Sequence, residues 1–533
     1  MAIYYVDNAY YAALEYLEDD DGGDQPARAV IPPNPLDLID KQTYICRKSR
    51  AVNLISLKQM CLENVARNMD SVWCKDFVEN WSGQMMLYFL GPFEQIAGGC
   101  VFELMEILRS KNCLHYRYLP SLITGRLETL NLKDTKNMNK LLSPIRFRCE
   151  INLKILNLEN CSGMKESNLC LTLQNLKRLE HLNLRNTGIS DNILESIGSC
   201  TFPLQRLQVS DNEKITNQGV HQLCNKHFAN HLKAVSVEFT DVNIEGIFHL
   251  LESLPKLEVL EHISTTDAVL NWKLKYRDKV LNLRQLKLDL SAYTNEELYM
   301  LVMTCKQLTD LSFTSSAAVT QDALLPFLDM AKVSKLSSNC VLIPEMSWFM
   351  HLGQSMTHID IGCVSPCATQ IDLSIIGSSC PKLMSLSLRN VNMVESKTDF
   401  TQGCMFKTLH NVQLQNVALA NNVPETLKFI FCHTHSIQRI ELCLFCLAEG
   451  FMESVFSACF TNPKVLFKLK VVSFVKCQNL NDVAFNHFLC SAPRLEELHF
   501  HENANVYFIT RLIAHNKMNV KVVCDKTLEA DDL

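Results

Sequence analysis

Cys443-Leu-Phe-Cys446 has the spacing of a redox dithiol or half a zinc site, and Cys432, His433 and His435 stand nearby in sequence. A zinc centre needs about four thiolate, imidazole or carboxylate ligands at tetrahedral reach. Here the surrounding pattern puts Cys443 at an outward position of a strand and Cys446 at the start of the following turn, which favours ordinary packing over metal binding. His499 and His501 project from one strand face, which suits a pH sensor or a partner contact, with solvated surface as the plain alternative. A catalytic centre requires a nucleophile with its base, or open metal ligands, converging on one point. The chain has no G-x-x-x-x-G-K-[ST] loop, no G-x-S-x-G elbow and no H-E-x-x-H pair. The expectation is a non-catalytic protein without cofactor or metal.

One further group reads as binding chemistry. Ser56-Leu57-Lys58-Gln59-Met60-Cys61-Leu62-Glu63-Asn64-Val65 falls on an expected helix. Leu57, Cys61 and Val65 are four apart, so each advances only ~40° and the three share a stripe. A small thiol between two aliphatics lets another surface approach closely.

Composition narrows the possible partners. The formal net charge is −6 and 20% of residues are charged, so there is no basic field for nucleic acid. The acidic clusters, Glu18 to Asp21 and then Glu529, Asp531 and Asp532, read as solvated ends. No stretch approaches the ~18 to 20 apolar residues that span a bilayer. Met1 to Tyr16 lacks the basic and apolar regions of a secretion signal. The 23 cysteines are therefore expected as thiols in the cytoplasm or nucleus, packing as small hydrophobes.

The elements that must position these groups come from an internal repeat. LETLNL (from Leu127), LKILNL (Leu153), LEHLNL (Leu179) and LQRLQV (Leu204) recur at steps of 26, 26 and 25 residues. The pattern continues from Leu232, Leu257, Leu283, Leu308, Met356, Leu383, Leu409, Ile437, Leu469 and Leu495, with weaker copies at Val333 to Ser338 and Val520 to Asp525. In the copy from Leu257, His262 takes the last apolar slot. A period in the twenties with this consensus marks leucine-rich repeats. The rest of each repeat has helical spacing, as in Asp191 to Ile197, Asn243 to Leu251 and Asn295 to Val302, with Asp, Asn or Thr expected as N-cap. Cys200, Cys305, Cys380 and Cys490 end several of these segments. The expected fold class is α/β, a leucine-rich-repeat solenoid with parallel strands inside a horseshoe, helices outside and an N-terminal helical cap. Alternation turns His181, Asn183 and Arg185 outward, then Gln285, Lys287 and Asp289, Arg439 and Glu441, and Glu497, His499 and His501. Such a polar, mixed-charge face suits a protein partner. The expected organisation is a flexible segment at 1–44, a helical adaptor-binding or capping region at 45–126, repeats at 127–525 and an acidic tail at 526–533, with no obvious cap on the last repeat.

Ser56, Leu57, Cys61 and Val65 resemble the elongin C-binding box of the von Hippel-Lindau and SOCS-box families: a small residue or proline, Leu, three residues, Cys, three residues and an aliphatic. The resemblance implies that Leu57 is the anchor in a pocket of elongin C. An N-terminal box followed by leucine-rich repeats is similar in layout to the Zyg-eleven and PRAME families of cullin 2 substrate receptors. Ile376 to Leu383 and Ile215 to Val220 resemble repeats of F-box leucine-rich proteins. Together these imply the substrate-recognition subunit of a cullin-RING ubiquitin ligase, with elongin C, elongin B and a cullin as partners. Leu119-Pro120 through Ile123 to Leu127 fits the cullin 2 pattern, far from Val65 and overlapping the first repeat strand. An F-box-like reading would instead dock Skp1 through Leu90 to Glu94 and Val101 to Leu108. A scaffold or GTPase regulator with no ubiquitin role uses the same solenoid.

Overall fold

A computed structural model describes residues 2–5, 56–75, 92–224, 230–318 and most of 325–525. Most of the 1–44 segment, residues 45–55 and 76–91 and the 526–533 tail lie outside the described residues, as do Leu90, His433 and Cys446. The chain packs as two units. One comprises Asn53–Leu286 and Glu296–Leu308; the other comprises Met1–Val52, Lys287–Asn295 and Thr309–Leu533.

In the first unit, Thr129–Asn131, Ile155–Asn157, His181–Asn183, Arg206–Gln208, Ala234–Ser236 and Val259–Glu261 form a six-stranded parallel sheet in chain order. Each strand is the centre of one repeat motif, so the pairing register aligns equivalent leucines. Leu130, Leu156, Leu182, Leu207, Val235 and Leu260 stand in one row, and all are buried. Parallel neighbours need a crossover, supplied by helices Asn139–Arg148, Glu166–Asn175, Asp191–Ser199, Asn217–Leu223 and Ile244–Ser253. This is the α/β leucine-rich-repeat architecture that the period predicts.

Side chains three residues past the motif bind the turn carbonyls, within their own turn for Thr187 and Thr240 and one repeat back for Cys161. Cys161 Sγ donates to Leu132 O at 3.0 Å, Thr187 Oγ1 to Leu184 O at 2.7 Å and Thr240 Oγ1 to Val237 O at 2.8 Å. Thr216 and Asn243 cap their helices as expected, accepting from Gln218 N at 3.2 Å and Glu245 N at 2.9 Å. Asp191 does not cap its own helix, where Ser190 holds that position. Its carboxylate instead accepts from Thr216 N at 2.8 Å and Thr216 Oγ1 at 2.7 Å, one repeat further on. Glu166 does the same for Ser190. A Cβ on Gly219 would collide with the Asp191 carboxylate, so glycine is what lets this stitch form.

The second unit repeats the scheme with longer strands. Asp310–Ala318, Lys335–Leu342, His358–Cys363, Ser385–Arg389, Asn411–Gln415, Arg439–Cys443, Val471–Val475, Glu497–His501 and Lys521–Asp525 pair in parallel, in that order. Both weaker sequence copies, at Val333 and Val520, therefore hold strands. A short second parallel sheet joins Gln370–Ile371, Asn392–Met393 and Ala418–Leu419. Phe474 and Phe500 stack with centroids 5.6 Å apart, and Phe485 and Phe488 pack against the same core. The outer edge of Lys521–Asp525 is not bare. Ala2–Tyr5, inside the segment expected to be flexible, pairs with it antiparallel from Ala2↔Cys524 to Tyr5↔Lys521.

Among the described residues the cysteines are free thiols. Cys200, Cys305 and Cys380 are buried where helices meet the next strand, and Cys490 is half-buried. Burial pushes the Cys305 and Cys380 thiols up to about 12.

Candidate functional site

Ser56 begins the candidate site as a helix cap: its Oγ accepts from Gln59 N at 3.1 Å and opens helix Leu57–Arg67. Leu62 on this helix, and Met69 in the single π turn Met69–Trp73 that follows, are buried. The helix packs on Gly98–Ser110, to which the Lys58 ammonium is tied by Glu103 Oε1 at 2.6 Å. Leu57 points away from that contact and is 76% exposed. Cys61 is exposed as well, and Val65 is half-buried. Helix geometry explains the gradation: Val65 stands ~80° from Leu57 and only ~60° from the buried Leu62, so it lies on the border. Met60, 56% exposed, widens the stripe and was legible as the i+3 neighbour of Leu57. Val72, on the next turn, adds an exposed aliphatic that no periodic pattern flagged.

Gly98–Ser110 is a true cap on the first repeat. A Cβ on Gly98 would meet the Arg126 carbonyl, so the helix start lies directly on the chain leading into strand Thr129–Asn131. Arg109 Nη2 donates to Asn131 O at 2.6 Å, and Asn131 Nδ2 donates to Glu106 Oε1 at 3.2 Å. Val101, Leu104, Met105 and Leu108 are all buried by this docking, and Phe93 is buried with them. These apolar residues of the F-box-like stretch are thus spent inside the chain. The same holds for the cullin-box-like stretch. Leu119, Ile123 and Leu127, its three pattern aliphatics, are 2%, 0% and 0% exposed, because the short helix Leu119–Leu122 and the first motif form the floor of the cap. These aliphatics are therefore sealed inside the cap, in keeping with their overlap with the first repeat.

The other sequence candidates separate in the structure. Cys443 is half-buried at the end of its strand, as expected from alternation. Among the described residues no group of three or more His, Cys, Asp or Glu could hold a metal ion. His499 Nε2 lies 3.1 Å from Glu497 Oε2, and Lys521 Nζ lies 3.2 Å from Glu497 Oε1. Burial pushes the Glu497 carboxyl up, and the hydrogen bonds from His499 and Lys521 outweigh it, leaving the group below the usual carboxylate range. The side chain of His501 lies outside the described residues.

The outward strand positions are polar, as alternation requires, and charged residues on and beside the strands pair between neighbouring repeats. Lys133–Glu159 at 3.0 Å, Arg185–Asp211 at 2.5 Å, Arg284–Glu258 at 3.2 Å and Arg389–Asp360 at 2.9 Å each join residues about one repeat apart. Gln413 and Gln415 both donate to Glu441 Oε1 at 3.1 Å. His181 and Asn183 are half-buried, and burial holds the His181 imidazole below its ordinary range.

Fold and face together define the class: a leucine-rich-repeat fold with polar outward strand positions. No protein-family model matches the chain, and no curated protein matches it. Solved structures similar to it include TLR13 in complex with ssRNA13 (16% identity, TM-score 0.41, 71% of this chain and 53% of that one). The chain thus spans about half the length of that TLR13 chain. An internalin, InlF, from Listeria monocytogenes is also similar (14% identity, TM-score 0.32, 83% of this chain and 99% of that one). So is a chain of the yeast Rad7 and Elc1 complex (15% identity, TM-score 0.41, 69% of this chain and 87% of that one). Among the described residues no helix is long and apolar enough to cross a membrane.

Proposed function

We propose that this protein is the substrate-recognition subunit of a cullin-RING ubiquitin ligase, docking elongin C through Leu57, Cys61 and Val65 and holding a target on its repeats. The observation that supports this reading is the outward stripe. In a helix that merely capped the repeats, the box positions would be expected to face the core. Here Leu62 and Met69 do that work, while Leu57 is 76% exposed and Cys61 is exposed beside it. An isolated exposed leucine is ordinary. An exposed Leu57-Met60-Cys61 cluster on one capped helix is the anchor-and-gap surface that the box resemblance calls for. The protein itself would contribute no catalytic group. Its work is proximity, raising the effective concentration of a target lysine near a charged conjugating enzyme. Elongin B and a cullin, cullin 2 by resemblance, would complete the assembly. The cullin contact would have to use residues other than Leu119, Ile123 and Leu127.

Co-expression with elongin B and C tests this directly, comparing wild type with Leu57→Ser and Cys61→Phe. Burying a leucine is worth about 1.5 to 3 kcal/mol, so Leu57→Ser should weaken the complex roughly tenfold or more. Both positions are exposed, so circular dichroism and melting should stay at wild-type values. A wild-type chain that fails to co-purify with elongin C, or variants that retain it fully, would overturn the proposal.

A further inference from the structure

The first five turns leaving strands in the first unit have a residue with left-handed backbone two positions past the repeat motif. Asp134, Asn160, Asn186 and Asp211 occupy it in successive repeats at φ 63°, 56°, 51° and 58°. Asn and Asp tolerate this region because their short polar side chains bond locally. Here they also bond along the stack, Asn160 Nδ2 to Asp134 Oδ1 and Asn186 Nδ2 to Asn160 Oδ1, each at 2.9 Å. In the next repeat the position is Phe239, at φ 56° and 74% exposed. A bulky residue in left-handed backbone is a real outlier, and such strain persists where something other than folding favours it.

Phe239 has an apolar neighbour. Ser236 pairs with Glu261, so Phe239 and Ile263 leave adjacent turns three and two residues beyond a shared register point. Ile263 is 90% exposed and stands where earlier repeats place Lys133, Glu159 and Arg185. Folding gains nothing from two large apolar side chains held in water on neighbouring turns. The stretch of chain that carries them is mostly acidic, although Arg185 lies within electrostatic reach of Glu238. From Ala234 to Trp272 the only Lys or Arg is Lys256, which lies in the loop at the opposite end of the strands, against Glu238, Asp241, Glu245, Glu252, Glu258, Glu261 and Asp267. Glu238, Asp241 and Glu261 belong to the same turns or strand ends as the apolar pair.

We propose that Phe239 and Ile263 form a recognition site for a protein segment that presents a large apolar side chain flanked by lysine or arginine. The apolar pair supplies the anchor, and Glu238, Asp241 and Glu261 select the basic flanks and reject acidic ones. The site supplies a target class for the repeat surface, and it stands whether or not the chain docks elongin C.

The test uses the full chain and a peptide array in which a central Phe, Leu or Ala is flanked by Lys/Arg, Ser or Glu. Phe239→Asn restores the residue type of the preceding repeats, so that variant should fold and melt at or above the wild-type temperature. Peptides with an apolar centre and basic flanks should bind wild type best, and binding should weaken as salt rises. Phe239→Asn and Ile263→Ser should each weaken it about tenfold, the loss of one buried apolar anchor. Equal binding by wild type and both variants, no preference for basic flanks, or no binding by any peptide in the array would overturn the proposal.

Discussion

Asn212 shows how much of the fold rests on single polar side chains. It is 1% exposed. Its Oδ1 accepts from the amides of Thr187, Gly188 and Ile189, and its Nδ2 donates to the carbonyls of Leu184, Val209 and Ser210. One side chain therefore satisfies backbone groups of two successive turns. Each buried group left unpaired costs about 1 to 3 kcal/mol. Asn212→Ala should therefore lower stability by about 3 kcal/mol or more, read as a fall in the urea midpoint. An unchanged midpoint would mean that water replaces the side chain. Phe239 is the opposite case, a residue the fold would be better without. Left-handed backbone costs a bulky side chain about 1 to 2 kcal/mol, so Phe239→Asn should stabilise the chain by about that amount in the same assay.

Helix Leu57–Arg67 makes the argument at the scale of an element. One of its faces is committed to Gly98–Ser110 and the other carries Leu57, Met60 and Cys61. Thiol chemistry separates the two. Cys61 and Cys113 are exposed, whereas Cys74, buried just beyond the helix, has its thiol pushed up by burial, and Cys149 is held at about 12 for the same reason. Maleimide at neutral pH should label Cys61 and Cys113 of the native chain well before Cys74 and Cys149, as peptide mass spectrometry would show. Bound elongin C should protect Cys61 and leave Cys113 reactive. Protection of neither thiol in a stable complex would move the docking surface elsewhere.

Across the whole molecule, repeats are joined mainly by neighbours, so stability is distributed over many similar contacts. Histidines in both units share one bias. Burial lowers the imidazoles of His181, His249 and His262 in the first unit and of His358 and His487 in the second. A lowered folded value means that the unfolded chain binds protons more readily, so stability is fully present above the ordinary histidine value of about 6.5 and is lost as pH falls below it. Glu128, Glu252 and Glu497 are also lowered, and their contribution is lost further down, below the ordinary glutamate value of 4.5. Melting temperature should therefore begin to fall just below pH 6.5, before carboxylates titrate. A flat profile from pH 7 to 5 would mean that the imidazoles stay solvated.

What the sequence determined alone was everything with a local period. Alternation at 2 placed Leu130 and Leu156 in the core, spacing of 3 and 4 placed the helices, and recurrence near 26 residues made the strands parallel. These are properties of a short stretch of chain, because strand and helix geometry decide which side chains share a face. The box stripe was legible for the same reason, as an apolar row on one helix. Its exposure was not. Leu57 and Ile123 are aliphatics in two family-like docking patterns, yet one stands in water and the other is sealed, because packing of the cap decides which face a neighbour covers. Tertiary structure also decided that Asp191 serves Thr216 in the next repeat and that Ala2–Tyr5 closes the edge of Lys521–Asp525. Each depends on which distant residue arrives alongside, and the period of the chain carries no information about that.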